Sequence, residues 1–314
     1  MSDTPKPVYI FSHPRTRSNL LARLLETHPR IGVPNMYPFR AAFCAGPERP
    51  LADFSVFATK DIDERETFQF AYDSLNSNLD QDLSKGLIPL VKDHVLLTMS
   101  PAITNSYCQR SLREGHVIKD PDGTSSTDGS TFQPNGNPTC LPDSFLSRII
   151  PIITIRDPIR MVASSMGVML RDLGAKLDEP HLEASCTFRW SKFLFDYYQS
   201  RGGPAFIVID GDRLVTDPEG QMKKLCALIN IEESGIQYTW EPRRKPPNKE
   251  MLEHVFIGVM HRSTGIIRGK VPKLDLEEEV KKWEEEWGAE VAETMRGYVE
   301  RTMDDYQYLL RHAI

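Results

Sequence analysis

The sequence predicts an α/β fold with a mostly parallel central sheet flanked by helices, and three observations carry that expectation. Residues 8–12, Val-Tyr-Ile-Phe-Ser, form a short apolar run that passes through a basic turn into a leucine-rich helical pattern. The same order of strand, turn and helix recurs around Ile149–Ile155 and again after Ala205–Ile209. Alternating strands and helices of this kind assemble as parallel strands joined by crossover helices. At 314 residues, with no shift of composition along the chain, one large domain over residues 1–314 is expected.

The elements follow in order. After the strand at 8–12, His13 to Ser18 form a turn, and Asn19 to Thr27 carry leucines at 20, 21, 24 and 25 in helical spacing. Pro29 stops that helix, and residues 29–60 hold five prolines and little periodicity, so an irregular segment near a ligand is expected. Residues 64–84 read as a helix and Leu87–Val91 as a strand. Residues 120–143 are dense in Gly, Ser, Thr, Asn, Pro and Asp and read as a long, flexible insertion. The β-branched run Ile149–Ile155 is expected in the middle of the sheet, followed by a helix from about Arg160 to Leu173. Then come an aromatic-rich helix at 182–200, a strand at Ala205–Ile209 and a helix over Asp217–Ile229. Val280, Trp283, Trp287, Val291, Met295 and Tyr298 recur every three or four residues, predicting one long amphipathic helix with a Glu278–Lys282 pair on its outer face.

Composition narrows the function. A net charge of −6 argues against nonspecific nucleic-acid binding, which needs a dense basic surface, but allows a small anion held by locally focused cations. The N-terminus lacks the basic flank and apolar core of a signal peptide, and Ile149–Ile155 is too short to span a bilayer, so a cytoplasmic protein without a membrane partner is expected. Five scattered cysteines without CxxC spacing point to reduced thiols and to no metal site.

The chemistry begins at the first turn. Where a buried strand enters a helix, unsatisfied N–H groups and the positive end of the helix dipole face the loop and favour phosphate or sulfate. Residues 13–19, His-Pro-Arg-Thr-Arg-Ser-Asn, occupy that junction. Thr16 or Ser18 can cap the helix or donate to an anion, and Arg15 and Arg17 can make charge-assisted contacts with its oxygens. The ATPase pattern GxxxxGK[ST] is absent, which excludes the usual magnesium-dependent ATP site. Taken alone, the turn is equally an ordinary capped helix with two solvent-facing arginines. The second strand-turn-helix adds Arg156 at a strand end and Ser164 eight residues later, placed to reach one phosphate.

With both turns in hand, the chain resembles the sulfotransferases that use 3′-phosphoadenosine 5′-phosphosulfate (PAPS), whose fold is a P-loop-NTPase-like α/β sheet. Pro14-Arg15-Thr16-Arg17-Ser18-Asn19 resembles their 5′-phosphosulfate loop, and Arg156 with Ser164 their 3′-phosphate motif. Val91-Lys92-Asp93-His94 is similar to their Lys-x-His, and Val208 to Leu214 followed by Asp217-Pro218 to their Tyr-Glu-Asp-Leu…Pro segment, with Asp210 in place of the aromatic residue. Arg262-Ser263-Thr264-Gly265 and Arg268-Gly269-Lys270 resemble the basic loop that completes the nucleotide site. The loop departs from the cytosolic eukaryotic form, which has Lys in place of Arg15 and Gly in place of Arg17.

The resemblance implies transfer of a sulfuryl group from PAPS to the hydroxyl of a small metabolite, without a metal. Arg15, Thr16, Arg17, Ser18 and Asn19 would hold the 5′-phosphosulfate, and Arg156 and Ser164 the 3′-phosphate, with Arg268, Gly269 and Lys270 closing the site. His94 would act as general base and Lys92 or Arg15 would offset the charge on the bridging oxygen; His13 is the rival base, and His116 ranks below both. Two other readings stay open: the fold has lost the cofactor and performs different acid-base chemistry on an anionic or carbonyl metabolite, which Arg17 favours, or the chain binds a ligand without turnover. The aromatics at 188–198, Trp240, Met166 and Met169 could line an acceptor pocket, although helical spacing favours the core for them. The expected partner is a small hydroxylated or anionic substrate, with a homodimer left open.

Overall fold

The protein is described by a computed structural model covering residues 4–47, 63–107, 118–120, 136–202, 206–242 and 263–314. Strand β1 (Val8–Ser12) is buried at every position. Its side chains alternate between two cores, Tyr9 and Phe11 entering one and Val8 and Ile10 the other, as a strand covered on both faces requires. Helix α1 (Ser18–Glu26) follows and lays Leu20, Leu21, Leu24 and Leu25 on the second core.

Four further strands complete a sheet in the order β2-β3-β1-β4-β5: β2 (Asn35–Met36), β3 (Leu90–His94), β4 (Ile150–Ile155) and β5 (Ile207–Asp210). Every adjacent pair is parallel. The chain adds strands on one side of β1 and then crosses to the other, so β1 is the point where the order reverses. Ligands in such sheets bind beyond the carboxyl ends of the strands at that point. Ser12, His94, Ile155 and Asp210 all stand at that edge.

Several boundaries differ from the sequence expectation. The strand expected at 87–91 lies at 90–94, because pairing with β1 runs on from Val8↔Leu90 to Ser12↔His94 through two fully buried polar residues, Lys92 and Asp93. The described part of the segment expected to be irregular contains β2 and helix α2 (Arg40–Ala45). Helix α3 (Phe68–Ser84) begins where Thr67 accepts the Phe70 N–H. The helix expected from Arg160 starts at Pro158, where Asp157 caps it through the Ile159 N–H, and gives way to a wider π-helical turn at Gly167–Asp172. The aromatic helix is two pieces, Pro180–Ala184 and Arg189–Ser200. The C-terminal helix is also two, Leu276–Trp287 and Ala289–Leu310, broken at Gly288, whose φ of 87° suits glycine. Lys282 pairs with Glu279 at i,i+3 and not with Glu278.

The insertion expected at 120–143 is ordered at its described ends. Asp120 is buried and takes hydrogen bonds from Ser144 and Arg148, while Thr139, Cys140 and Leu141 are buried; the centre of that stretch lies outside the described residues, as do Cys108, His116 and Arg262. Phe188, Trp190, Phe195, Tyr197, Tyr198, Met166 and Met169 are buried in the core, and Trp240 packs beside the second core with its indole N–H donating to Ser263. No described helix is long and apolar enough to cross a membrane, and no cluster of metal-ligating residues occurs among the described residues.

Candidate active site

The turn between β1 and α1 is shaped by its backbone. Arg15 and Arg17 both adopt left-handed conformations, with φ of 65° and 61°. Such conformations cost a non-glycine residue energy and persist where the surroundings enforce them. Here they alternate along a short loop, the arrangement in which successive backbone N–H groups form an anion-binding concavity. A glycine at the Arg17 position would reach this backbone without strain, so Arg17 keeps the loop's geometry while adding a guanidinium.

Neither Thr16 nor Ser18 caps α1. Arg17 holds the cap position with no side-chain bond to the helix. Thr16 is fully buried, its hydroxyl bonded to the His13 carbonyl at 2.6 Å and paired with Thr154 Oγ1 at 2.6 Å, so it braces the loop against β4. The Ser18 hydroxyl makes no hydrogen bond among the described residues and remains a free donor in the first turn, where the N–H groups also lack helical partners.

Around this loop lie four guanidinium groups, three of which share one carboxylate. Asp212, just after β5, accepts Arg17 Nη1 at 2.6 Å and Arg156 Nε at 3.0 Å, and Arg160 Nε lies 3.9 Å from its second oxygen. Arg17 also donates to the Gly211 carbonyl, and Arg156 to the Arg15 carbonyl. Arg15 donates through Nε to Ser164 Oγ at 2.8 Å and has no ion-pair partner among the described residues. Burial and the nearby Arg156 guanidinium both work against the charge on Arg15. The cluster therefore has an excess of positive charge at a helix N-terminus. Arg15, Arg156 and Ser164 come together as the spacing predicts, although in this state Ser164 faces Arg15 and Arg156 faces Asp212.

A second group lies on β3. Lys92 is fully buried; its ammonium donates to Tyr37 Oη, and burial pushes it down to about 7. The Tyr37 hydroxyl in turn reaches Asn19 Oδ1 at 3.3 Å, so Asn19 in the first turn of α1 is tied to β3 through Tyr37. Tyr37 is itself left-handed, with φ of 56°, and its N–H is fixed on the Lys92 carbonyl at 2.7 Å. Asp93 points to the opposite side, where burial raises its carboxyl to about 7 while the N–H groups of Phe39 and His94 bond to it. His94 is partly exposed, its ring 4.9 Å from that of Tyr37, and burial with the neighbouring Lys92 and His13 holds it well below the usual imidazole range.

The other candidates fare differently. His13 is 1% exposed, bonded through Nδ1 to the Pro14 carbonyl, packed against Phe188, and pushed down to about 4 by burial, so it is a structural imidazole and not a base facing the loop. Arg268 is exposed and paired with Glu219, and no hydrogen bond or ion pair joins Arg268, Gly269 or Lys270 to residues 13–19 among the described residues. Sequence reasoning missed Asp212 as the carboxylate hub, Arg160, Ser12 and Tyr37. An acid at a strand end after glycine could have drawn attention to Asp212; nothing local marks Tyr37.

No family model matches the chain. Among curated proteins, Sulfotransferase ppzF of Metarhizium majus is 26% identical over 339 residues, covering 98% of this chain and 97% of that protein. Sulfotransferase ppzF of Metarhizium rileyi is 25% identical over 334 residues, covering 97% and 95%. Similar solved structures include the sulfotransferase domain from the curacin biosynthetic pathway, with a TM-score of 0.43, 13% identity and coverage of 91% of this chain and 98% of that one. The sulfotransferase domain of the Synechococcus PCC 7002 olefin synthase gives 0.43, 15%, 91% and 96%. Over nearly its full length, then, this chain, whose strand-end loops gather basic side chains, is similar to two curated sulfotransferases.

Proposed function

We propose that the protein transfers a sulfuryl group from PAPS to a hydroxyl of a small metabolite, with His94 as general base. The observation that carries this reading is the excess of guanidinium charge around Asp212 and Ser164, set at the N-terminus of α1 on the carboxyl edge of the sheet. Such a site suits a ligand with two separate anionic groups. Arg15, Ser18, Asn19 and the loop N–H groups would hold the phosphosulfate end, and Arg156 and Ser164, with Arg17 and Arg160 beside them, the 3′-phosphate. The donor supplies an activated sulfuryl group whose bridging oxygen gains negative charge as the bond to sulfur breaks.

The protein's own part is to position and to move one proton. Cations at Arg15 and Lys92 favour charge developing near the loop and require no rearrangement to do so. His94, kept neutral at physiological pH, can accept the proton of an acceptor hydroxyl through a ring nitrogen. The reading in which the cofactor has been lost rested on a bulky Arg17 obstructing the loop. Arg17 is instead drawn aside to Gly211 and Asp212, which favours retention of the donor.

The test is to incubate the protein with PAPS and a panel of phenols and aliphatic alcohols and to measure adenosine 3′,5′-bisphosphate together with sulfated product. Matched formation of both, lost in Arg15→Ala, supports the reading. Tight bisphosphate binding with no transfer to any hydroxyl would instead favour a protein that binds the nucleotide for another purpose.

A further inference from the structure

Ser12 ends β1 directly across the sheet register from His94 at the end of β3. It is fully buried, so its hydroxyl must be satisfied within the protein. Two groups lie within reach: the Asp93 carbonyl, which accepts from Ser12 Oγ at 2.9 Å, and His94 Nδ1, 3.0 Å from the same oxygen. A hydroxyl has one proton and two lone pairs, whereas a carbonyl can only accept. With the proton committed to the Asp93 carbonyl, the serine oxygen can serve His94 only as an acceptor, and Nδ1 must carry a hydrogen. The Ser12 main chain also favours a proton on this ring, as an acceptor beside a ring N–H does. His94 Nε2 makes no hydrogen bond among the described residues, and the residue is partly exposed.

We propose that Ser12 is a positioning residue that fixes His94 as the Nδ1–H tautomer and leaves the Nε2 lone pair facing outward, ready to take a proton. The catalytic value of this arrangement rests on the reading of His94 as general base; the tautomer itself does not. Ser12 does for this imidazole what a carboxylate or carbonyl does for other catalytic histidines, since the partner of one nitrogen decides the state of the other. The carbonyl it leans on belongs to the residue just before His94, so the strand that carries the base also orients it. No proton moves through Ser12 during turnover: an acceptor O–H bond breaks, an Nε2–H bond forms, and the Nδ1–H to Ser12 bond persists as the ring becomes a cation.

The experiment is long-range ¹H–¹⁵N correlation spectroscopy on full-length protein labelled with ¹⁵N-histidine, with His94→Gln used to assign the ring. The expected spectrum shows a protonated Nδ1 and an unprotonated Nε2 for His94 at neutral pH. Ser12→Ala should release the tautomer to a mixture and lower kcat about 10-fold with little change in KM, the effect of one lost hydrogen bond. Ser12→Thr, which keeps the hydroxyl, should restore both. A wild-type ring protonated at Nε2 overturns the proposal without any variant having to fold, and so does a Ser12→Ala protein whose tautomer and rate are unchanged. Full sulfuryl transfer by His94→Gln would remove His94 as the base while leaving the tautomer result standing, which separates the two claims.

Discussion

At the scale of single residues, the site is a set of groups whose ordinary chemistry has been shifted by burial. In the proposed mechanism His94 acts as a base only when unprotonated, so kcat/KM should rise with pH through its pKa; because burial depresses that pKa, the acid limb should lie below about 6.5. In the same mechanism Lys92 contributes only when charged, and its proton is lost as pH passes about 7, so activity of the free enzyme should fall above that point. A pH–rate profile measured at subsaturating donor should therefore be bell-shaped with its alkaline limb near pH 7, and a flat profile from pH 6 to 9 would contradict the Lys92 assignment. His94→Asn should lower kcat about 10²–10⁴-fold while bisphosphate affinity, measured by calorimetry, stays within a factor of two. The two arginines of the loop, the Lys-x-His pattern and the Arg156–Ser164 pair could all be read in sequence, because each is local. Ser12, Tyr37, Arg160 and Asp212 could not be assigned, because what makes them part of the site is a neighbour about 50 to 200 positions away: Tyr37 meets Lys92, and Asp212 meets Arg17.

At the scale of elements, three loops at the carboxyl edge of the sheet lock onto each other. Gly211 makes the closest approach: a side-chain carbon there would sit 2.2 Å from the Thr16 carbonyl oxygen and 3.4 Å from Arg17. Gly211→Ala must push the loop after β5 away from the anion loop. We expect a loss of about 1–3 kcal/mol in urea unfolding and a weakened bisphosphate response, whereas a fully stable variant with intact binding would show that the loops are not in contact. Asp212 is the electrostatic tie between the same loops. Asp212→Asn should destabilise the ligand-free protein by about 1–3 kcal/mol, because three partly buried guanidinium groups lose their shared carboxylate. It should also enlarge the stabilisation gained from an anionic ligand, since the ligand would then supply the missing charge. Periodicity located four of the five strands and most of the longer helices, missing the two-residue β2, and it placed β3 three residues early. Lys92 and Asp93 look like the end of a strand, and only the pairing partner β1 shows that the strand passes through them. The breaks at 185–188 and Gly288 were hidden for a similar reason, since apolar spacing continues across both and the core covers each half.

At the scale of the whole molecule, a chain with a net charge of −6 concentrates cations at one edge of its sheet. The parallel topology makes this possible, because it brings the ends of β1, β3, β4 and β5 to the same side, each with a charged or hydrogen-bonding residue at or just beyond its end. Sequence alternation was enough to anticipate that arrangement, and the near full-length similarity to two sulfotransferases agrees with it. The central claim is that this edge binds the nucleotide of a sulfuryl donor, and thermal unfolding with and without adenosine 3′,5′-bisphosphate tests it most directly. At 100 times Kd, binding to the native state alone adds about 2.7 kcal/mol, which for a chain of this length raises the midpoint by about 4 °C. The account predicts such a rise in the wild-type protein and its loss in Arg156→Ala; no rise at millimolar bisphosphate, with the protein folded, would contradict it.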